Sequence, residues 1–351
     1  FIGRSSDFTQ DSSENCVKIH LDSPILTHGV FERLKKGIDG FKAVEIPMLF
    51  TREQGLEKGL EDFFAKAEQA IADGAVLLIL TDKDASEEYI PIPSLLASSG
   101  LHHHLIRRGQ RGGCSIIVDS FEPRGVHHFA CLIGYGAKAV YPRGAYETIT
   151  QMVENGYLPG MDKEKAIHNF IHAVEHGILK VMSKMGISCV DGYIRAQIFE
   201  AVGLSNEVID KYFTGTVSRF GGLTIDEMET ECINKHNKAV AELDKPLPSG
   251  GRFQWKRDGE EHLYNPQTIH LIQTAVRNND YELYKEYRDR ICNEGQMSLR
   301  SLFAFRKGKS VPIDEVEPVE RIVRRFKSGA MSYGSLSQEA HECLAEAMNR
   351  L

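Results

Sequence analysis

Residues able to do chemistry gather at a few points. Three polar runs, each directly behind an apolar one, carry charge: Thr81-Asp82-Lys83, Asp119-Ser120 and Tyr141-Pro142-Arg143. A Lys, an Arg and two Asp on one rim would either grip an anionic ligand or neutralise one another. A fourth run, Thr214–Gly222, places hydroxyls, Arg219 and a glycine pair before a helix. It would form an anion nest, or a packed loop in which Thr224 caps the next helix. The ligand reading gathers Lys83, Asp119, Arg143 and Arg219 around an anionic small molecule.

The histidines invite a metal reading that their spacing weakens. His102, His103 and His104 are consecutive, and neighbours on a helix point about 100° apart, so the three do not converge on one ion. His168, His172 and His176 share one helix face, but Asn169, Phe170 and Ile171 fill the first interval, without the carboxylate of an H-E-x-x-H site. No metal site is expected; that face is read as solvated or as an interface. Seven cysteines without a C-x-x-C pair point to reduced thiols rather than a disulfide framework, a zinc site or an iron–sulfur cluster. No phosphate-binding glycine loop occurs, and no window joins an acid, a base and oxyanion donors, so no catalytic residue is assigned.

The elements that would hold these groups alternate between strand and helix. Helix-like segments over Pro24–Lys36, Leu56–Ala72, Ser94–Arg108 and Val126–Ile133 intervene between extended ones at Phe41–Phe50, Ala75–Thr81, Cys114–Asp119 and Ala137–Tyr141. Leu56, Leu60, Phe63, Phe64, Ala67 and Ile71 form one apolar stripe. The unbroken run Ala75–Thr81 suits a parallel strand covered on both faces. Successive βα units predict a parallel sheet with right-handed crossovers, which puts functional groups at the carboxyl ends of its strands. Spacing does not say whether the sheet is open or curls toward a barrel. Beyond Ala145 helices dominate: Lys163–Met185, Tyr193–Val202, Asn206–Tyr212, Thr224–Leu243, Pro266–Arg277 and Tyr281–Glu294. A loop is expected at Lys245–Arg257, a linker at Arg306–Pro312, a strand at Gly329–Tyr333 and a final helix to Leu351. Ser335 and Gln338 are spaced as a capping box for that helix.

Composition excludes several classes. A net charge of -7 gives no basic face for nucleic acid. No run of 18 apolar residues is present to span a bilayer. The sequence starts Phe1-Ile2-Gly3-Arg4, which reads as a processed chain or a fragment.

Several stretches then resemble the glutamate synthase large subunit, in order along nearly the whole chain. They include Ile92-Pro93-Ser94-Leu95-Leu96-Ala97, His127-His128-Phe129, Leu132–Ala137, Lys180–Ser188, Ala196–Ala201 and Thr214–Gly222. The most specific are Gly329-Ala330-Met331-Ser332-Tyr333-Gly334-Ser335, Glu339-Ala340-His341 and Ala347-Met348-Asn349-Arg350. The resemblance implies an α/β fold in which parallel βα units form an incomplete TIM-barrel-like domain with a helical second half. It implies a central domain over 1–305, a linker over 306–316 and the truncated start of an FMN-binding barrel over 317–351. Ala330, Met331 and Ser332 would then be part of an FMN site.

The implied role is architectural, in a cytoplasmic enzyme that turns glutamine, 2-oxoglutarate and a reductant into two glutamates. The chain would link the glutamine amidotransferase domain to the FMN synthase site and contribute to the ammonia path. FMN and an iron–sulfur cluster would belong to the intact enzyme, whose partners include a reductase small subunit or ferredoxin, with no nucleic acid and no membrane. The isolated chain is expected to be colourless and inactive. The competing readings are a free-standing barrel-like enzyme or binding protein for an anionic small molecule, and an interaction module docking through its His-rich helices. The apolar stripe of the last helix predicts that Leu344 and Met348 become buried, against the central domain or a second copy.

Overall fold

The computed structural model describes every residue except 5–16, 39, 244–249, 295–296 and 333, and at 293–294 it describes the backbone alone. The chain divides into two compact units, Phe1–Pro246 and Leu247–Leu351.

The first unit opens with α1 (His28–Lys35), capped by the Thr27 hydroxyl. Strand β1 (Ala43–Pro47) follows, then the two-residue β2 (Leu49–Phe50). The expected extended segment Phe41–Phe50 is broken at Met48, whose N–H still donates to the Thr81 carbonyl at 2.8 Å while its own carbonyl accepts the Ile92 N–H at 2.9 Å, before Leu49 and Phe50 pair antiparallel with Ile90 and Pro91. Helix α2 (Leu56–Ala72) buries Leu56, Leu60, Phe63, Phe64 and Ala67, as its stripe predicts. Next come β3 (Leu77–Thr81), β4 (Ile90–Pro91), α3 (Ser94–Arg107), β5 (Ser115–Asp119), α4 (Val126–Gly134), β6 (Ala137–Tyr141) and α5 (Arg143–Glu154).

The main sheet has the order β1-β3-β5-β6, all parallel, with each strand beside the next long one along the chain. Sequential order of this kind is the arc of a (β/α) barrel rather than a doubly wound sheet. The arc gains one more extended segment, because Leu26 donates its N–H to the Val140 carbonyl at 2.9 Å and Val140 donates to Pro24 at 2.8 Å. That pairing takes Pro24–Leu26 out of the expected first helix, which begins only at His28. No closed barrel forms among the described residues, so the fold is the expected incomplete TIM-barrel-like α/β domain. Both β3 and β5 are buried at all five positions, the arrangement of strands covered on both faces.

The rest of the first unit is helical apart from one small sheet: α6 (Lys163–Met185), α7 (Val190–Tyr193), β7 (Glu200–Leu204), α8 (Asn206–Tyr212), β8 (Val217–Leu223) and α9 (Ile225–Ala241). Two expectations are corrected here. Tyr193–Val202 is not a helix. Arg195 and Gln197 adopt left-handed φ of 71° and 52°, which ends α7 and redirects the chain into β7. Thr214–Gly222 is neither nest nor loop over most of its length, because Val217–Leu223 pairs in parallel with β7. Gly222 allows that pairing, since a Cβ there would lie 2.2 Å from the Gly203 carbonyl oxygen. Helix α9 also serves the sheet layer, as Glu229 accepts the N–H of Leu56 at 2.7 Å. This satisfies an orphan donor at a helix start where Gly55 offers no side chain.

The second unit contains α10 (Pro266–Asn278) and α11 (Tyr281–Asp289), followed after a long connection by α12 (Val319–Ile322) and then α13 (Gln338–Arg350). Asn265 caps α10 ahead of a proline at its first turn, and Asn279 closes it in the left-handed conformation. Arg306–Pro312 has no helix or strand. Gly329–Ser332 is not the expected strand, since among the described residues no strand pairs with it; Tyr333 lies outside the described residues. Ser337, not Ser335, caps α13 by accepting the N–H of Ala340. Within the single chain Leu344 and Met348 of α13 are 42% and 37% exposed.

Among the described residues no helix is long and apolar enough to cross a membrane.

Candidate functional site

The carboxyl ends of β3 and β5 and the start of α5 bring Thr81, Asp82, Asp119, Ser120 and Arg143 together. The Arg143 guanidinium donates from Nε to Asp119 Oδ1 at 3.1 Å and from a terminal nitrogen to Asp82 Oδ1. Asp119 also accepts the Thr81 hydroxyl at 2.6 Å. Asp82 accepts the Ser120 hydroxyl at 2.6 Å and the Phe121 N–H at 3.0 Å. Both carboxylates are deeply buried, at 6% exposure for Asp82 and 2% for Asp119. The guanidinium lies over the Phe121 ring, 5.1 Å from its centroid. Burial pushes the Asp82 carboxyl above its ordinary 3.8, and the hydrogen bonds from Ser120 and Phe121 and the charge of Arg143 pull it back.

The other cations of the expected rim end elsewhere. Lys83 donates to both carboxylate oxygens of Glu45 at 2.8 Å, and Lys35 reaches the same carboxylate at 3.0 Å. Burial opposes ionisation of Glu45, but the two ammonium groups outweigh it and hold the carboxyl below its ordinary 4.5. Arg219 pairs with Glu200 across β7 and β8 at 3.1 Å. Thus Asp119 and Arg143 come together, while Lys83 and Arg219 each finish on a separate glutamate. The rim ties the strand ends to α5. Any anion entering it would meet two buried carboxylates that already share one guanidinium.

The histidine run separates into three environments. His102 is buried, and its Nδ1 accepts from Arg111 Nε at 2.8 Å. His103 is half-buried; burial first, then the Arg107 charge, lowers it to about 4. His104 meets Glu68 at 2.7 Å and stacks on Phe64. Gly136 makes the His102 contact possible: a Cβ there would sit 2.6 Å from His102 Nδ1, and its φ is +115°. His168, His172 and His176 are exposed on α6, with ring centroids 6.4 and 4.5 Å apart along the row. Among the described residues no cluster of His, Cys, Asp or Glu is arranged to hold a metal ion. Ala330, Met331 and Ser332 lie in an exposed stretch without regular structure.

Sequential parallel βα units with a sealed polar rim define a barrel-type α/β domain whose usual catalytic face is taken up by internal ion pairing. Residues 1–205 match the glutamate synthase central domain, and residues 262–351 match the conserved region in glutamate synthase. The whole chain is 48% identical to the glutamate synthase [NADPH] large chain of Bacillus subtilis, of which it covers 23%. It is 39% identical to the chloroplastic ferredoxin-dependent glutamate synthase of Spinacia oleracea, covering 23%, and 38% identical to glutamate synthase [NADH] of Schizosaccharomyces pombe, covering 17%. The chain belongs to the glutamate synthase family. It corresponds to a module of the large chain and spans less than a quarter of the length of these relatives.

Proposed function

We propose that the chain is the central scaffold of glutamate synthase, joining a glutamine amidotransferase domain to an FMN-binding synthase domain and supplying part of the wall around the ammonia path. The observation that carries this reading is the sealed rim. Asp82, Asp119 and Arg143 occupy the place where a barrel enzyme keeps its reactive groups, and they bind one another. A scaffold needs rigidity at that edge rather than free functional groups. An ammonia path needs walls that stay closed to water, which a sheet buried on both faces provides. Residues 317–351 are read as the opening of the FMN-binding domain, with Ala330, Met331 and Ser332 placed to meet the flavin once other segments enclose it. The electron donor would be a reductase subunit or ferredoxin acting on the intact enzyme. By itself the chain would neither bind flavin nor turn over.

Coupling in the full-length protein tests the proposal. Leu78→Ala empties a fully buried position of β3 and costs about 2–5 kcal/mol of stability. The expected outcome is continued glutamine hydrolysis with ammonia leaking into solution and fewer glutamates formed per glutamine consumed. Complete transfer of ammonia in a measurably loosened protein would contradict the scaffold role.

A further inference from the structure

A cavity of about 170 Å³ opens between α3, the end of α4 and the turn that follows α7. This far exceeds the roughly 10–15 Å³ that admits one water. His102, His103, Tyr193, Arg195, Gln197 and Phe199 are in its wall, and no Asp or Glu is.

Behind that wall sits a guanidinium without a counter-charge. Arg111 donates to His102 Nδ1 at 2.8 Å and to the carbonyls of Cys114 and Gly136 at 2.8 and 2.9 Å, and forms no ion pair with a carboxylate among the described residues. Because Nδ1 accepts, the proton of the neutral ring is assigned to Nε2. Burial, reinforced by the charges of Arg111, His103 and Arg195, keeps the ring neutral. The Nε2–H is a donor polarised from behind by Arg111, on a side chain only 2% exposed, and it has no acceptor among the described residues. Arg195, on the same wall, likewise forms no ion pair among the described residues. Its left-handed backbone is held by its own N–H, which donates to the Gly134 carbonyl at 2.9 Å.

We infer that this cavity binds a small organic carboxylate, one oxygen accepting from His102 Nε2 and the other from the Arg195 guanidinium. The wall carries one cation, the exposed Arg195, and no carboxylate, and the partly buried Arg111 behind it has no counter-ion among the described residues, so the ligand that the wall suits is an anion. The wall itself carries a single formal charge, which suits a monoanion better than a phosphate dianion. Tyr193 and Phe199 provide apolar surface for a short carbon chain. The site is separate from the strand-end rim and does not depend on the scaffold role.

Butyrate is a suitable probe, followed by saturation-transfer NMR and thermal melting of the full-length protein, with inorganic phosphate as competitor. We expect saturation of the butyrate methyl group, a melting temperature that rises with butyrate, and no displacement by equimolar phosphate. Arg195→Asn removes the cation while asparagine tolerates the left-handed backbone, so the fold is retained. It should weaken binding by about tenfold or more. Absence of transfer to butyrate would overturn the assignment. So would transfer that is unchanged in Arg195→Asn, or butyrate displaced by phosphate.

Discussion

A buried imidazole without a carboxylate partner stabilises the fold only while it stays neutral, and His102 is such a group. Burial, then Arg111, His103 and Arg195, lower it from 6.5 to about 2. Between those values the unfolded chain binds a proton that the folded chain excludes, so stability rises with pH through this window and falls on acidification. The loss is about 1.4 kcal/mol per pH unit once the pH is below 6.5. His102→Gln keeps a neutral acceptor for Arg111 and removes the titration. Denaturant unfolding of wild type and variant should therefore give curves that converge as the pH drops below 6.5. Curves that stay parallel would mean that His102 is not held neutral.

At the scale of elements, Thr224 makes a measurable contribution. Its hydroxyl accepts the Glu227 N–H, and the Glu227 carboxylate accepts the Thr224 N–H at 2.8 Å, a full capping box at the start of α9. Thr224→Ala should cost about 0.5–2 kcal/mol, read as a lower denaturation midpoint. Because α9 supplies Glu229 to the start of α2, amide exchange should quicken at Leu56 as well; an unchanged midpoint with Leu56 still protected would refute the coupling. The elements that could be read from sequence are those whose signal is local. Leu56–Ala72 carries its stripe within one helix, and Leu77–Thr81 its continuous apolar run. The β7–β8 pair was hidden because its glycines carry no periodicity and its partners meet only in three dimensions. The rim partners Asp82, Asp119 and Arg143 were visible at strand ends. Glu45 was not, since a lone carboxylate inside an apolar strand announces no partner. The triple histidine drew attention for metal chemistry, while the contact that matters, His102 with Arg111, joins a helix to the turn behind it.

For the molecule as a whole, the central claim is that the strand-end rim is structural. Asp119 is the best residue on which to test it, because it is buried and binds both Thr81 and Arg143. Asp119→Asn retains an acceptor for the Thr81 hydroxyl and removes the charge that pairs with Arg143, at a cost of about 1–3 kcal/mol. The decisive measurement is the rate of glutamine-dependent glutamate formation per folded molecule, taken with the melting temperature, in the full-length protein. A structural rim predicts a lower melting temperature and an essentially unchanged rate below the transition. An intact melting temperature with a rate reduced by about 10²–10⁴-fold, the size of a lost general acid or base, would make Asp119 catalytic and contradict the account.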